Sequence, residues 1–145
     1  MFSGTVITVM HEFVALLLYP IIVGLGAMLL LAIWEIGLAI GERFWGLNHV
    51  PADHERVRFE RIARRRIERT DILTRVSPML GLMGTLIPLG PGLAGLGQGD
   101  LSILTTAVTV AFDTTVLGLL TGIVGFILGR FRRRWYDEIL STNET

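Results

Sequence analysis

Three long apolar runs decide what this 145-residue chain can fold into. The first, FVALLLYPIIVGLGAMLLLAIW, extends from Phe13 to Trp34; the second runs from Val76 to Gly97, and the third from Leu101 to about Leu128. A hydrocarbon layer of about 30 Å is crossed by about 20 helical residues. Within lipid only a helix or a closed barrel satisfies its own backbone hydrogen bonds. A soluble domain distributes its apolar residues by helix or strand period, whereas here the 51% of hydrophobic residues are gathered into blocks. The expectation is an all-α integral membrane protein, a single membrane domain over residues 1–145 with spans at about 13–40, 76–97 and 101–128. Pro20 is a candidate kink in the first helix, which continues past Trp34 through EIGLAIG. Only Gln98, Gly99 and Asp100 separate the second span from the third, so these two form a helical hairpin. No basic residue precedes the first apolar run, and that run exceeds a signal peptide's core, so it reads as a retained helix.

Charge orients the spans. All 13 basic residues are arginines. Nine lie between Arg43 and Arg75, and the other four are Arg130, Arg132, Arg133 and Arg134. The N-terminal arm and the hairpin turn have none. The positive-inside rule then places the N-terminus outside and the C-terminus in the cytoplasm. Trp34, Trp45 and Trp135 fall near the inner ends of spans, where indole favours the interface. The loop at 41–75 and the tail at 130–145 are therefore expected on the cytoplasmic side. From Asp53 to Arg75 the loop lacks Gly and Pro, and Arg56, Glu60, Arg64 and Glu68 follow one another at i, i+4. It reads as a helix extending the second span inward, with Asp53 as a candidate N-cap. The plain reading is a solvated helix; contact with anionic lipid is the sharper one.

The third span carries two stripes when plotted at about 100° per residue. Ala107, Ala111, Gly118, Gly122, Gly125 and Gly129 form a ridge of small residues that lets membrane helices pack closely. Thr114 and Thr115 flank it. A second stripe holds Thr105, Thr106, Thr109 and Asp113. A helix with both features has most of its circumference to bury in protein, which points to an oligomer. Asp113, Thr114 and Thr115 lie near the middle of the third span and Thr85 near the middle of the second, so an antiparallel hairpin brings the four to one depth. An unpaired charge at mid-membrane costs at least about 2.5–3.5 kcal/mol, so Asp113 must face protein or water. Its role is in ion passage or in a structural hydrogen bond. The other threonines can simply donate to their own i−4 carbonyls.

The segments SPMLGLMGT and AFDTTVLGL, in this order and orientation, resemble the MotA/TolQ/ExbB proton-channel family. The resemblance covers roughly Val76 to Gly129. It implies long helices assembled as a homo-oligomeric ring, usually of five subunits, around a single-span partner of the ExbD, TolR or MotB type. The partner brings an aspartate within its span, and proton flow moves one part against the other in a prokaryotic inner membrane. By this resemblance Thr85 and Thr115 line the surface facing that aspartate, with Thr114 before Thr115. Two positions depart from the family pattern. Pro88 stands where glycine is common, and Asp113 where an apolar residue is common. Asp113 and Thr115 lie about 160° apart on the helix and cannot both point at one axis; the resemblance favours Thr115 and Thr85 at the lumen, with Asp113 between subunits. The chain lacks the large inner domain of flagellar stators, which puts it nearer the small ExbB/TolQ transport-type members.

No enzyme chemistry is legible. There is no cysteine, no metal-ligand cluster and no phosphate loop, since GLGQGD follows no strand. His11, His49 and His54 are dispersed. No cofactor or metal is expected, and a net charge of zero suggests no nucleic-acid partner. The rival readings are a passive membrane scaffold and a self-sufficient ion channel or small transporter.

Overall fold

The computed structural model describes residues 2–45 and 53–141, all helical except the turn at 98–100. Helix α1 spans Phe2–Trp45, α2 Asp53–Gly97 and α3 Leu101–Ser141. They contain 44, 45 and 41 residues. At 1.5 Å per residue each is about 60–68 Å long, roughly twice a hydrocarbon core, so each apolar span sits inside a longer helix. All three are long and apolar enough to cross a membrane. Pro20 lies inside α1, and Pro78, Pro88 and Pro91 lie inside α2, whose helix is continuous through them. Asp53 opens α2, but its side chain and the preceding residues 46–52 lie outside the described residues, and so does the cap expected of it.

The hairpin turn has a defined chemistry. Gly99 takes a left-handed backbone with φ of 84°, which glycine adopts without steric cost. The amides of Gln98 and Asp100 donate to the Gly95 carbonyl, which closes the end of α2. Asp100 Oδ1 then accepts from the amide of Ser102 at 2.9 Å and from that of Ile103 at 3.4 Å, capping α3.

The α2–α3 seam is the main packing surface, and glycine makes it close. A methyl group built on Gly118 would stand 2.7 Å from the Ser77 carbonyl oxygen and 2.8 Å from the Gly81 Cα. At Gly122 it would meet the Pro78 ring at 2.7 Å, and at Gly125 the Leu73 Cβ at 2.8 Å. Gly129 faces Thr70. Ala107 and Ala111 are buried in the same seam. The small-residue ridge of α3 thus lies against α2 of the same chain. Outside the seam, Leu86, Phe112 and Val116 are exposed.

Helix α1 lies on one side of this hairpin. Ile21, Leu25 and Ala32 are its buried apolar residues, and Gly24 meets Leu80 of α2. At the arginine-rich end, ion pairs tie each helix to the other two. Glu42 pairs with Arg66, Asp71 with Arg133 at 3.1 Å, and Glu35 with Arg132 at 2.6 Å.

Candidate functional site

The seam fixes the relative depth of the candidate residues. Gly84 faces Thr114, and Gly81 faces Gly118 and Thr115. Thr85, the next residue after Gly84, therefore stands level with Thr114 and within one residue's rise of Thr115 and Asp113. All four candidate polar residues lie in one layer.

Their directions differ. Thr114 is buried, 7% exposed, in the seam, where a methyl group on Gly84 would stand 2.8 Å from its Cβ and its Oγ1. Its hydroxyl donates to the carbonyls of Val110 at 2.9 Å and Ala111 at 3.0 Å. Thr85 and Thr115 are each half-buried at the seam's edge. Thr85 Oγ1 donates to the Leu82 carbonyl at 2.6 Å, and Thr115 Oγ1 to that of Ala111 at 2.8 Å. With their protons committed to backbone, both oxygens keep lone pairs for an outside donor. Asp113 is exposed on the side of α3 away from the seam and makes no hydrogen bond or ion pair among the described residues. The stripe above it, Thr105, Thr106 and Thr109, is exposed as well, each hydroxyl donating to its own i−4 carbonyl.

Thr85 and Thr115 share one side of the hairpin. A groove between α2 and α3 at the arginine-rich end is lined by Thr74 and Phe126, among others. Thr85 follows Thr74 by eleven residues and Thr115 precedes Phe126 by eleven, about three full turns in each case. Both threonines therefore project on the grooved side. Helix α1 occupies the opposite side, through Leu80 of α2 and Arg132 of α3. The structure brings Thr85 and Thr115 together on an open face, encloses Thr114 and turns Asp113 away.

Apart from Thr121, expected to donate to its own i−4 carbonyl and found doing so, the buried polar residues of the arginine-rich half were not singled out from the sequence. Thr70 and Ser77 are 0% exposed, Thr121 1%, Glu35 2% and Arg132 5%. Thr70 and Thr121 are satisfied by their own helix carbonyls, whereas Ser77 Oγ finds no partner among the described residues. Arg132 Nη1 lies 2.6 Å from Glu35 Oε2, yet no guanidinium nitrogen is aligned for a hydrogen bond. The contact is a meeting of opposite charges in a dry place. The i, i+3/i+4 spacing of Gly118, Thr121, Gly125, Gly129 and Arg132 was the available signal, because Arg132 continues the ridge. No group of His, Cys, Asp and Glu able to hold a metal ion occurs among the described residues.

This arrangement sets two hydroxyls at nearly one level on the side of the hairpin that α1 leaves open, with a carboxylate at the same depth. The two hydroxyl oxygens keep lone pairs able to accept a hydrogen bond from outside the chain. No curated protein and no solved structure matches the chain. The model of the MotA/TolQ/ExbB proton channel family does, over residues 52–145, which takes in both α2 and α3. That is well over half of the sequence, and the chain belongs to the MotA/TolQ/ExbB proton channel family.

Proposed function

We propose that this protein is the ring-forming subunit of a motor driven by the proton motive force. Copies of the chain, five by analogy with the family, surround a single-span partner of the ExbD, TolR or MotB type that carries an aspartate in its membrane segment. The observation that supports this most is the shared depth and shared side of Thr85 and Thr115 on the face that α1 leaves open. A carboxylate moves against an apolar wall readily when neutral and poorly when charged. Protonation from outside and release inside then gate the movement, with about 2.3 kcal/mol available per charge per 100 mV. The threonine oxygens accept from the neutral acid, and rotation about χ1 lets the hydroxyls donate to the charged form. Asp113 and Thr114 serve the pathway from beside it: Thr114 holds the spacing of the seam, and Asp113 lies towards the neighbouring subunit. The arginine-rich ends face the cytoplasm of a prokaryote and the hairpin turn faces outward.

Purification from native membranes tests the reading. The protein should come out as an oligomer together with a single-span protein bearing a membrane aspartate. A cysteine at Thr115 should crosslink to a cysteine beside that aspartate. A monodisperse oligomer with no such companion would favour a self-sufficient channel. Full cellular function in a Thr85→Val/Thr115→Val variant would favour a scaffold.

A further inference from the structure

The geometry points to a docking site for an acidic segment of the single-span partner, in the groove between α2 and α3 at the arginine-rich end. The inference rests on the motor reading, because it takes the side that α1 leaves open to face the lumen and the partner. The groove encloses about 470 Å³. Arg75, Arg130 and Arg133 line it with guanidinium groups, Asp71 with one carboxylate and Phe126 with a phenyl ring. Arg133 Nη2 donates to both carboxylate oxygens of Asp71, at 3.1 and 3.5 Å, so this anion is already engaged. Arg75 and Arg130 are exposed and have no partner among the described residues. Three cations against one anion leave the groove short of negative charge.

Side and depth together name the occupant. Thr74 and Phe126 line the groove three full turns from Thr85 and Thr115, on the same side of the hairpin. Arg75 is ten residues from Thr85 and Arg130 fifteen from Thr115, about 15 and 22 Å along the helices. With the threonines near the midplane of a core about 30 Å thick, Arg75 stands at its edge and Arg130 beyond it. A partner helix whose membrane aspartate lies in the threonine layer therefore passes this groove about 10–15 residues further towards the cytoplasm. An Asp or Glu at that distance meets two unpaired guanidinium groups, which take carboxylates as paired donors. Phe126, 54% exposed, gives an apolar residue beside the acid a surface to cover, which a free inorganic anion cannot do. Every copy of the chain repeats the groove, so the segment finds the same site on each subunit. The contact fixes the partner along the ring axis and holds its aspartate level with Thr85 and Thr115.

A photo-crosslinking residue in place of Phe126, in the full chain in native membranes, tests the site. Mass spectrometry should find it joined to the single-span companion, at a stretch with an Asp or Glu about 10–15 residues to the cytoplasmic side of the membrane aspartate. With the oligomer intact, Arg75→Gln/Arg130→Gln should lower the yield at least threefold. Arg61→Gln/Arg65→Gln removes the same charge from exposed positions outside the groove and should leave the yield unchanged. Arg75→Glu/Arg130→Glu should abolish the crosslink, and changing the companion's acid to arginine should restore it. Crosslinks to lipid, to a second copy of this chain or to a stretch without an acid would overturn the assignment, as would an equal loss in both Arg→Gln variants. A companion that crosslinks to a cysteine at Thr115 but never to position 126 would remove the docking site and leave the motor reading standing. Membranes that yield no single-span companion would remove both.

Discussion

At the scale of single residues, the polar groups in the apolar layer fall into two kinds. The threonine hydroxyls donate to their own helices and so stand in the membrane at low cost. Asp113 has no such partner among the described residues and stands exposed. Asp113→Asn should therefore disturb oligomer assembly or proton-driven activity while leaving the stability of the isolated chain near wild type, as read by melting in detergent. The buried pair Glu35–Arg132 behaves oppositely. Removing one partner strands a charge that is 2% or 5% exposed. Glu35→Gln or Arg132→Gln should each lower stability by about 3–5 kcal/mol, whereas the double change to Met/Leu should recover most of it. Equal melting of single and double variants would refute the pairing. This pair was not legible in the sequence. Four arginines follow one another within residues 130–134, and nothing in their composition tells which turns inward. The ridge spacing, carried on from Gly129, marks Arg132, but nothing in the sequence pairs it with Glu35.

At the scale of helices, the seam depends on absent side chains. A Cβ on Gly118 would strike backbone of α2 at 2.7 and 2.8 Å, and backbone cannot rotate away. Gly118→Val should force the hairpin apart, at a cost of about 1–3 kcal/mol or more. Gly26→Ala, with nothing within 4 Å of the new methyl, should melt like wild type within about 0.5 kcal/mol. If both variants melted alike, the close approach of α2 and α3 would be wrong. The hairpin itself could be read from the sequence, because three polar or turn-forming residues between two apolar runs leave no other connection. The depth match of Thr85 with Thr114 also follows from the short turn. The common side of Thr85 and Thr115 does not, since it depends on how the two helices are rotated about their own axes. In a membrane helix both the lipid face and the packed face are apolar, so the usual hydrophobic stripe gives no phase. Small residues gave the phase of α3, but prolines and glycines spread along α2 left its rotation open.

At the scale of the whole molecule, the arginines gather at one end and the charge-poor turn at the other. A reporter enzyme fused after Gly99 should be active only where extracytoplasmic folding is required, and one fused after Ser141 only in the cytoplasm. The reverse pattern would invert the orientation and with it the direction of proton entry. Interhelical ion pairs brace the arginine-rich end, while the threonine layer is held by glycine contacts and own-helix hydrogen bonds. In the proposed motor, Thr85 and Thr115 together supply hydroxyls to protons crossing on the side of the hairpin that α1 leaves open. The most direct measurement is proton flux into proteoliposomes carrying the purified complex under an imposed potential. Thr85→Val/Thr115→Val, isosteric but without hydroxyls, should reduce the flux at least tenfold with the oligomer intact, and Thr105→Val/Thr109→Val should not. Undiminished flux in the first variant, from an intact oligomer, would contradict the account.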